Sequence, residues 1–201
     1  MSKVKFKPGT MIYPLPAVIV SCGETKEEYN ATTVAWTGTL CTEPPMCYVS
    51  LRKTRLSHSI ISRTRHFVIN ITTEQMCRAT DWCGVRSGRD FNKFEQTGLT
   101  PIQAPDVRAP YIEESPLCVE CEVVEVRELG SHDMFMAKVV GVLADSEYID
   151  EQSGLFDLEK AGLLAYSHGK YYSLGKRLGF FGFSVQKKKK SCSQKGLIYT
   201  K

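Results

Sequence analysis

Between Asn30 and Ile61 the sequence reads "NATTVAWTGTLCTEPPMCYVSLRKTRLSHSII". Small residues around one tryptophan lead to a Pro-Pro pair and a short apolar stretch. Arg52, Lys53, Thr54, Arg55, Ser57 and His58 then crowd together. The stretch "MCYVSL" (46–51) reads as a strand, and Leu56, Ile60 and Ile61 as the apolar side of a helix over 57–64, with Thr54 or Ser57 as its N-cap. The cationic knot therefore sits where a strand runs into a helix. A helix start offers unpaired amides and a positive dipole end, and guanidinium and hydroxyl groups beside it suit a phosphate. Upstream, small residues from Asn30 to Thr42 let backbone amides approach a flat heteroaromatic ring, with Trp36 as a wall. The alternative is a hairpin whose polar residues face water, and these residues alone leave both readings open.

Other chemistries find less support. The glycines at 175, 179 and 182 match neither a dinucleotide fingerprint nor a Walker loop, and are expected to let a strand pass close to other backbone. There is no G-x-S-x-G, and His58, His66, His132 and His168 lack metal-ligand spacing. Of the eight cysteines, Cys118 and Cys121 are the best chelating pair. They lie on an alternating, strand-like stretch, where positions three apart face opposite ways. No metal site and no catalytic side chain is assigned; an organic cofactor would make both unnecessary.

The elements that would hold such a cofactor are mostly short β-rich runs: 17–22, 33–38, 46–51 and 66–71. "LCVECEVVEV" (117–126) and "MFMAKVVGVL" (134–143) flank a turn at Gly130. Further helices are expected from Glu74 to Cys83, capped by Thr73, and from Asp90 to Gln96, ended by Gly98. The pattern predicts one mainly β domain over 1–186, a closed or nearly closed antiparallel barrel with α insertions.

At 201 residues the chain can bury a real core, and 42% hydrophobic with 24% charged residues is ordinary for a globular protein. The net charge of +4 is concentrated at the end: six lysines and no acids lie in 187–201, leaving 20 basic against 22 acidic residues before them. That balance carries no nucleic-acid footprint, and 187–201 is expected to be a solvated basic tail. No apolar run is long enough for a membrane helix, and the N-terminus lacks a signal-peptide core, so a cytoplasmic location is expected.

"YPLPAVIVSCG", the 30–61 stretch and "FVIN" together resemble the flavin reductase-like proteins of the FMN-binding split-barrel fold, and within them the flavoredoxin group. The resemblance continues through "DWCGVRSGRDFNKF" (81–94), "GSHDMFMAKVVGV" and "YYSLGKRLGFFGFSV", covering most of 13–185. It implies a Greek-key split barrel and a homodimer with FMN near the subunit interface. Asn30, Thr33, Val34 and Trp36 would line the flavin, with Thr39, Leu40, Cys41 and Thr42 beside the ring. Ser50, Arg52, Thr54, Arg55 and Ser57 would take the ribityl chain and phosphate. Lys93 and His132 would reach in from later loops, within the subunit or across the dimer, with Tyr166 and Tyr171 as further candidates.

The implied function is electron or hydride transfer through FMN between NAD(P)H or a redox-protein partner and an acceptor. The alternative is a non-catalytic flavin- or nucleotide-binding barrel acting as sensor or scaffold. The resemblance stops near Val185, and like charges without acids disfavour packing. Truncation after Gln186 is therefore expected to leave FMN content and oligomer mass unchanged, by absorbance and light scattering. A colourless truncated protein would show that the tail belongs to the fold.

Overall fold

The run Val18-Ile19-Val20-Ser21-Cys22 is buried throughout because each face of its strand meets a different apolar layer. Val18, Val20 and Cys22 join one cluster with Val49, Phe67, Cys121 and Phe135, whereas Ile19 joins another with Met76, Cys83, Phe94 and Ile112. The computed structural model in which this is seen describes residues 2–157 and 159–186; the lysine tail at 187–201 lies outside them.

In chain order the strands are β1 (Leu15–Pro16), β2 (Val18–Cys22), β3 (Asn30–Val34), β4 (Thr37–Thr42), β5 (Pro45–Arg52) and β6 (His66–Asn70). They continue with β7 (Pro101–Gln103), β8 (Pro110–Ile112), β9 (Leu117–Glu128), β10 (His132–Ala144), β11 (Leu164–Ser167) and β12 (Lys170–Ser173). The helices are α1 (Leu56–Thr64), α2 (Cys77–Val85) and α3 (Lys93–Thr97). Seven strands form one antiparallel sheet in the order β3-β2-β6-β9-β10-β5-β4, curled around the first cluster as a half-barrel. β1, β11 and β12 make a second small sheet, and β7 pairs with β8. Among the described residues no helix is long and apolar enough to cross a membrane.

The sheet order carries one consequence for the site. β3 and β4 are the two edge strands, yet only Ala35 and Trp36 separate them in sequence. The three steps from Val34 to Thr37 span roughly 10–11 Å at full extension. The edges must therefore approach one another at this end, and the sheet cannot lie flat. The Ser50 amide donates to the Trp36 carbonyl at 2.9 Å and ties the crossing to β5. The run 33–38, which reads as a single strand from sequence, is thus cut at residue 35 and shared between opposite edges.

The helices also differ in detail from expectation. α1 takes Arg55 as N-cap, with neither Thr54 nor Ser57 capping it. α2 begins at Cys77, three residues later than predicted; Thr73 instead bridges to Leu163, and a turn fills 74–76. α3 is capped by the Asn92 side chain, which accepts from the Phe94 and Glu95 amides, and ends at Gly98 in the left-handed conformation as expected. The glycines at 175, 179 and 182 lie outside any strand, in an exposed stretch after β12. Cys118 and Cys121 occupy different clusters on opposite faces of β9.

Asn70 joins the sheet to its outer layer. Its Nδ2 donates to the Ile19 carbonyl at 2.9 Å and to Ser21 Oγ at 2.8 Å, while its Oδ1 accepts from the Ile112 amide at 2.8 Å. All of these groups are buried. Asn70→Leu keeps the volume but orphans the Ile112 amide, at a cost of about 1–3 kcal/mol. Urea unfolding is expected to show a midpoint lowered accordingly; an unchanged midpoint would mean that β8 does not depend on this bond.

Candidate functional site

Where the two sheet edges converge, a cavity of about 360 Å³ opens beside Trp36. Its floor is the end of β3, with Thr32, Thr33 and Val34, and the crossing residues Ala35 and Trp36. Ser50, Leu51 and Arg52 of β5 form one side and His132 of β10 adjoins them, paired in register with Arg52. The other side comes from α2, through Asp81, Gly84 and Val85, and from the small sheet, through Tyr166, Gly169 and Tyr171. Trp36, Tyr166 and Tyr171 thus line one cavity, and an aromatic lining suits a planar ring.

A second cavity of about 420 Å³ adjoins the first through Thr32, Arg52 and Arg55, which line both. Its walls add Asn30, Thr54, Leu56, Ser57, Arg86, Ser87, Gly88 and Lys93. Four cations, Arg52, Arg55, Arg86 and Lys93, meet here, and no carboxylate lines the lobe. The α1 N-cap has no side-chain hydrogen bond, and although the His58 amide donates to the Arg55 carbonyl at 3.1 Å, the Leu56 and Ser57 amides ahead of it are left at the helix start as donors. Cations, hydroxyls and free amides without acids make an anion lobe.

The supports of this lobe are specific. Asn30 is buried, and its Nδ2 donates to Ser57 Oγ at 2.7 Å, joining β3 to α1. A Cβ at position 88 would overlap Asn30 Oδ1, and one at position 84 would stand 3.2 Å from the Thr33 Cβ. Both glycines allow the α2 end and the loop after it to close on β3. Arg89 Nη1 donates to the Thr54 carbonyl at 2.8 Å and braces the loop before α1. On the far side of that loop, His58 Nε2 meets Asp133 Oδ2 at 2.7 Å, and Lys53 Nζ lies 3.5 Å from Asp133 Oδ1.

Electrostatics follow from burial. Lys93 is buried, with its Nζ donating to the Cys83 carbonyl at 2.7 Å. Burial lowers its pKa to about 8, and the Arg55 guanidinium pushes the same way. An anion in the lobe would offset both the burial of Lys93 and its repulsion by Arg55. His132 is held below its ordinary pKa by burial and then by Arg52, which favours neutral imidazole. Tyr171 donates to Asp81 Oδ1 at 3.3 Å, and burial with that carboxylate raises the phenol to about 12, so it stays protonated.

The structure brings most of the sequence-predicted residues together. Thr33, Val34, Trp36, Ser50, His132, Tyr166 and Tyr171 line the ring-sized slot; Asn30, Thr54, Ser57 and Lys93 line the anion lobe; Arg52 and Arg55 line both. Thr39, Leu40, Cys41 and Thr42 line neither: they sit on edge strand β4, where Thr39, Leu40 and Thr42 are exposed and Cys41 Sγ contacts the Glu43 carbonyl at 3.3 Å. Sequence reasoning passed over Thr32, Asp81, Arg86, Ser87 and Gly88. Thr32 lies in "NATT" and the other four in "DWCGVRSG", but only the packing of α2 on β3 brings these two stretches together.

The chain's relatives agree with this geometry. Residues 10–175 match the family model described as "Flavin reductase like domain". The reductase component of a 4-nitrophenol 4-monooxygenase/4-nitrocatechol 2-monooxygenase from Rhodococcus opacus is 30% identical over 140 residues, covering 70% of this chain and 71% of that protein. Flavoredoxin of Desulfovibrio vulgaris (Miyazaki F) superposes with a TM-score of 0.85 at 28% identity, covering 92% of this chain and all of that one. Flavoredoxin from Methanosarcina acetivorans shares the fold, with a TM-score of 0.83 at 24% identity over 92% of this chain and all of that one. With a split-barrel architecture and a family match across most of its length, the chain belongs to the flavin reductase-like family.

Proposed function

We propose that this protein is an FMN-dependent oxidoreductase of the flavoredoxin and flavin reductase type, working as a homodimer built on residues 1–186. The observation that carries the reading is the continuity of the two lobes. A slot walled by Trp36, Tyr166 and Tyr171 runs through Arg52 and Arg55 into a lobe with four cations and no acid. One amphiphilic ligand with a flat ring at one end and a phosphate at the other matches both lobes. The resident donors fit the phosphate end: Arg55 as a charge-assisted ligand, Thr54 and Ser57 as hydroxyls, and the α1 amides behind them.

When bound, the flavin would supply the redox chemistry, taking up and giving out hydride or single electrons. The chain's own part is to position and tune. Arg52 and neutral His132 face the ring slot from β5 and β10, where they place positive charge and a hydrogen-bonding imidazole beside any charge that develops on the ring. Tyr166 and Tyr171 restrict water on the side of the small sheet. No acid or base from the chain is required for hydride transfer, and none is assigned. The donor is NAD(P)H or a reduced protein partner. Steady-state oxidation of NADH and NADPH, with and without added flavin or ferric acceptors, separates the two.

Arg55 tests the phosphate end directly. A charge-assisted bond contributes about 1.5–3 kcal/mol, so Arg55→Ala is expected to weaken FMN binding roughly tenfold or more. Riboflavin, which lacks the phosphate, should lose far less. Titration of apo-protein with both ligands checks this, and equal losses would mean that Arg55 does not read the phosphate.

A further inference from the structure

Asp133 is a buried acid close to a lobe built from cations. It follows His132 on β10, and successive residues of a strand point to opposite faces. His132 lines the ring slot. Asp133 lies on the face that carries Phe135 and Ala137 into the barrel core, and it lines neither of the two cavities. A carboxylate buried there is costly unless it is paired. Its Oδ2 meets His58 Nε2 at 2.7 Å, and its Oδ1 lies 3.5 Å from Lys53 Nζ. The His58 ring stands edge-on to Phe135, with centroids 5.2 Å apart. Glu128, opposite Asp133 in register across the β9–β10 hairpin, takes Lys53 Nζ at 2.7 Å.

These contacts bracket the loop between β5 and α1. Lys53 and His58 are the two ends of a stretch that brings Thr54, Arg55 and Ser57 to the anion lobe. Within it the Arg55 amide donates to the Arg52 carbonyl at 3.0 Å, and the His58 amide to the Arg55 carbonyl at 3.1 Å. Arg89 grips the Thr54 carbonyl from the segment after α2. No carboxylate lines the lobe to orient Arg55, so its placement depends on the backbone of this loop. Fixing that backbone before the ligand arrives removes an ordering cost from binding.

We propose that Asp133 is a positioning residue for the phosphate end of the cofactor: by holding Lys53 and His58 it fixes the loop that presents Thr54, Arg55 and Ser57. The proposal rests on the reading of the lobe as a phosphate site and deepens it. The start of β10 then serves both lobes, with His132 in the ring slot and Asp133 behind the phosphate loop.

The sign of the effect separates positioning from charge. A carboxylate near a phosphate repels it, so Asp133→Asn would tighten FMN binding if Asp133 acted through its field. Positioning predicts the reverse. Titration of apo-protein is expected to show FMN bound about threefold to tenfold more weakly by Asp133→Asn, with riboflavin affinity unchanged. In an Arg55→Ala background most of that loss should vanish, because the group being positioned is gone. His58 approaches the same pair from the other side. His58→Leu should repeat the FMN-selective loss, and His58→Gln, whose amide can still donate to Asp133, should restore most of the affinity. Unchanged or tighter FMN binding by Asp133→Asn would overturn the proposal. So would equal losses for FMN and riboflavin, or the same loss with and without Arg55. Where Asp133→Asn does not fold, the His58 variants decide: equal FMN affinity in the Leu and Gln forms would overturn it. A wild-type apo-protein that binds neither FMN nor inorganic phosphate would instead overturn the phosphate reading of the lobe, and the proposal with it.

Discussion

The structure turns on the two-residue crossing at Ala35 and Trp36. Because β3 and β4 are the outermost strands of a seven-stranded sheet, the crossing obliges that sheet to curl until its edges nearly meet. Curling has two effects that depend on each other. It encloses Val49, Phe67, Cys121 and Phe135 in a core that a flat sheet would leave half exposed. It also leaves a mouth at the crossing, and that mouth is the ring-sized slot. The indole stands at the slot because it belongs to the crossing itself.

The second organising feature is a group of uncompensated charges. Burying or crowding cations costs free energy unless anions accompany them. The cost falls on buried Lys93, whose depressed pKa records it, and Arg52, Arg55 and Arg86 line the same lobe. Elsewhere three surface arginines have carboxylate partners, Arg63 on Glu28, Arg108 on Glu24 and Arg177 on Glu159. A lobe lined by four cations and no carboxylate suits an anionic ligand. The glycines at 84 and 88 and the Asn30–Ser57 bond are the local devices that hold the lobe open to such a ligand.

Much of this was legible in the sequence, for physical reasons that can be traced. The cationic knot at 52–58 is local: strand end, loop and helix start are contiguous, so their residues share a site by covalent geometry alone. The β-rich runs were legible because Val, Ile and aromatic residues fit a pleated, half-buried surface. The division of 33–38 between two edges was not, since nothing in that run distinguishes a continuous strand from a crossing whose cause is the closure of the whole sheet. Arg86 and Gly88 were also hidden, because they reach the lobe only after α2 packs on β3. Thr39 to Thr42 look like neighbours of Trp36 in sequence, yet β4 carries them outward along the far edge. Lys93 could be a surface lysine from its helix pattern; tertiary burial against the α2 carbonyl at Cys83 makes it part of the lobe.

The central claim is that the two lobes together hold one flavin mononucleotide. Denaturing freshly purified protein and chromatographing the released chromophore addresses it most directly. The account predicts a yellow protein that releases FMN at about one molecule per chain. Release of FAD would contradict it, as would a colourless protein that takes up no FMN when the cofactor is added.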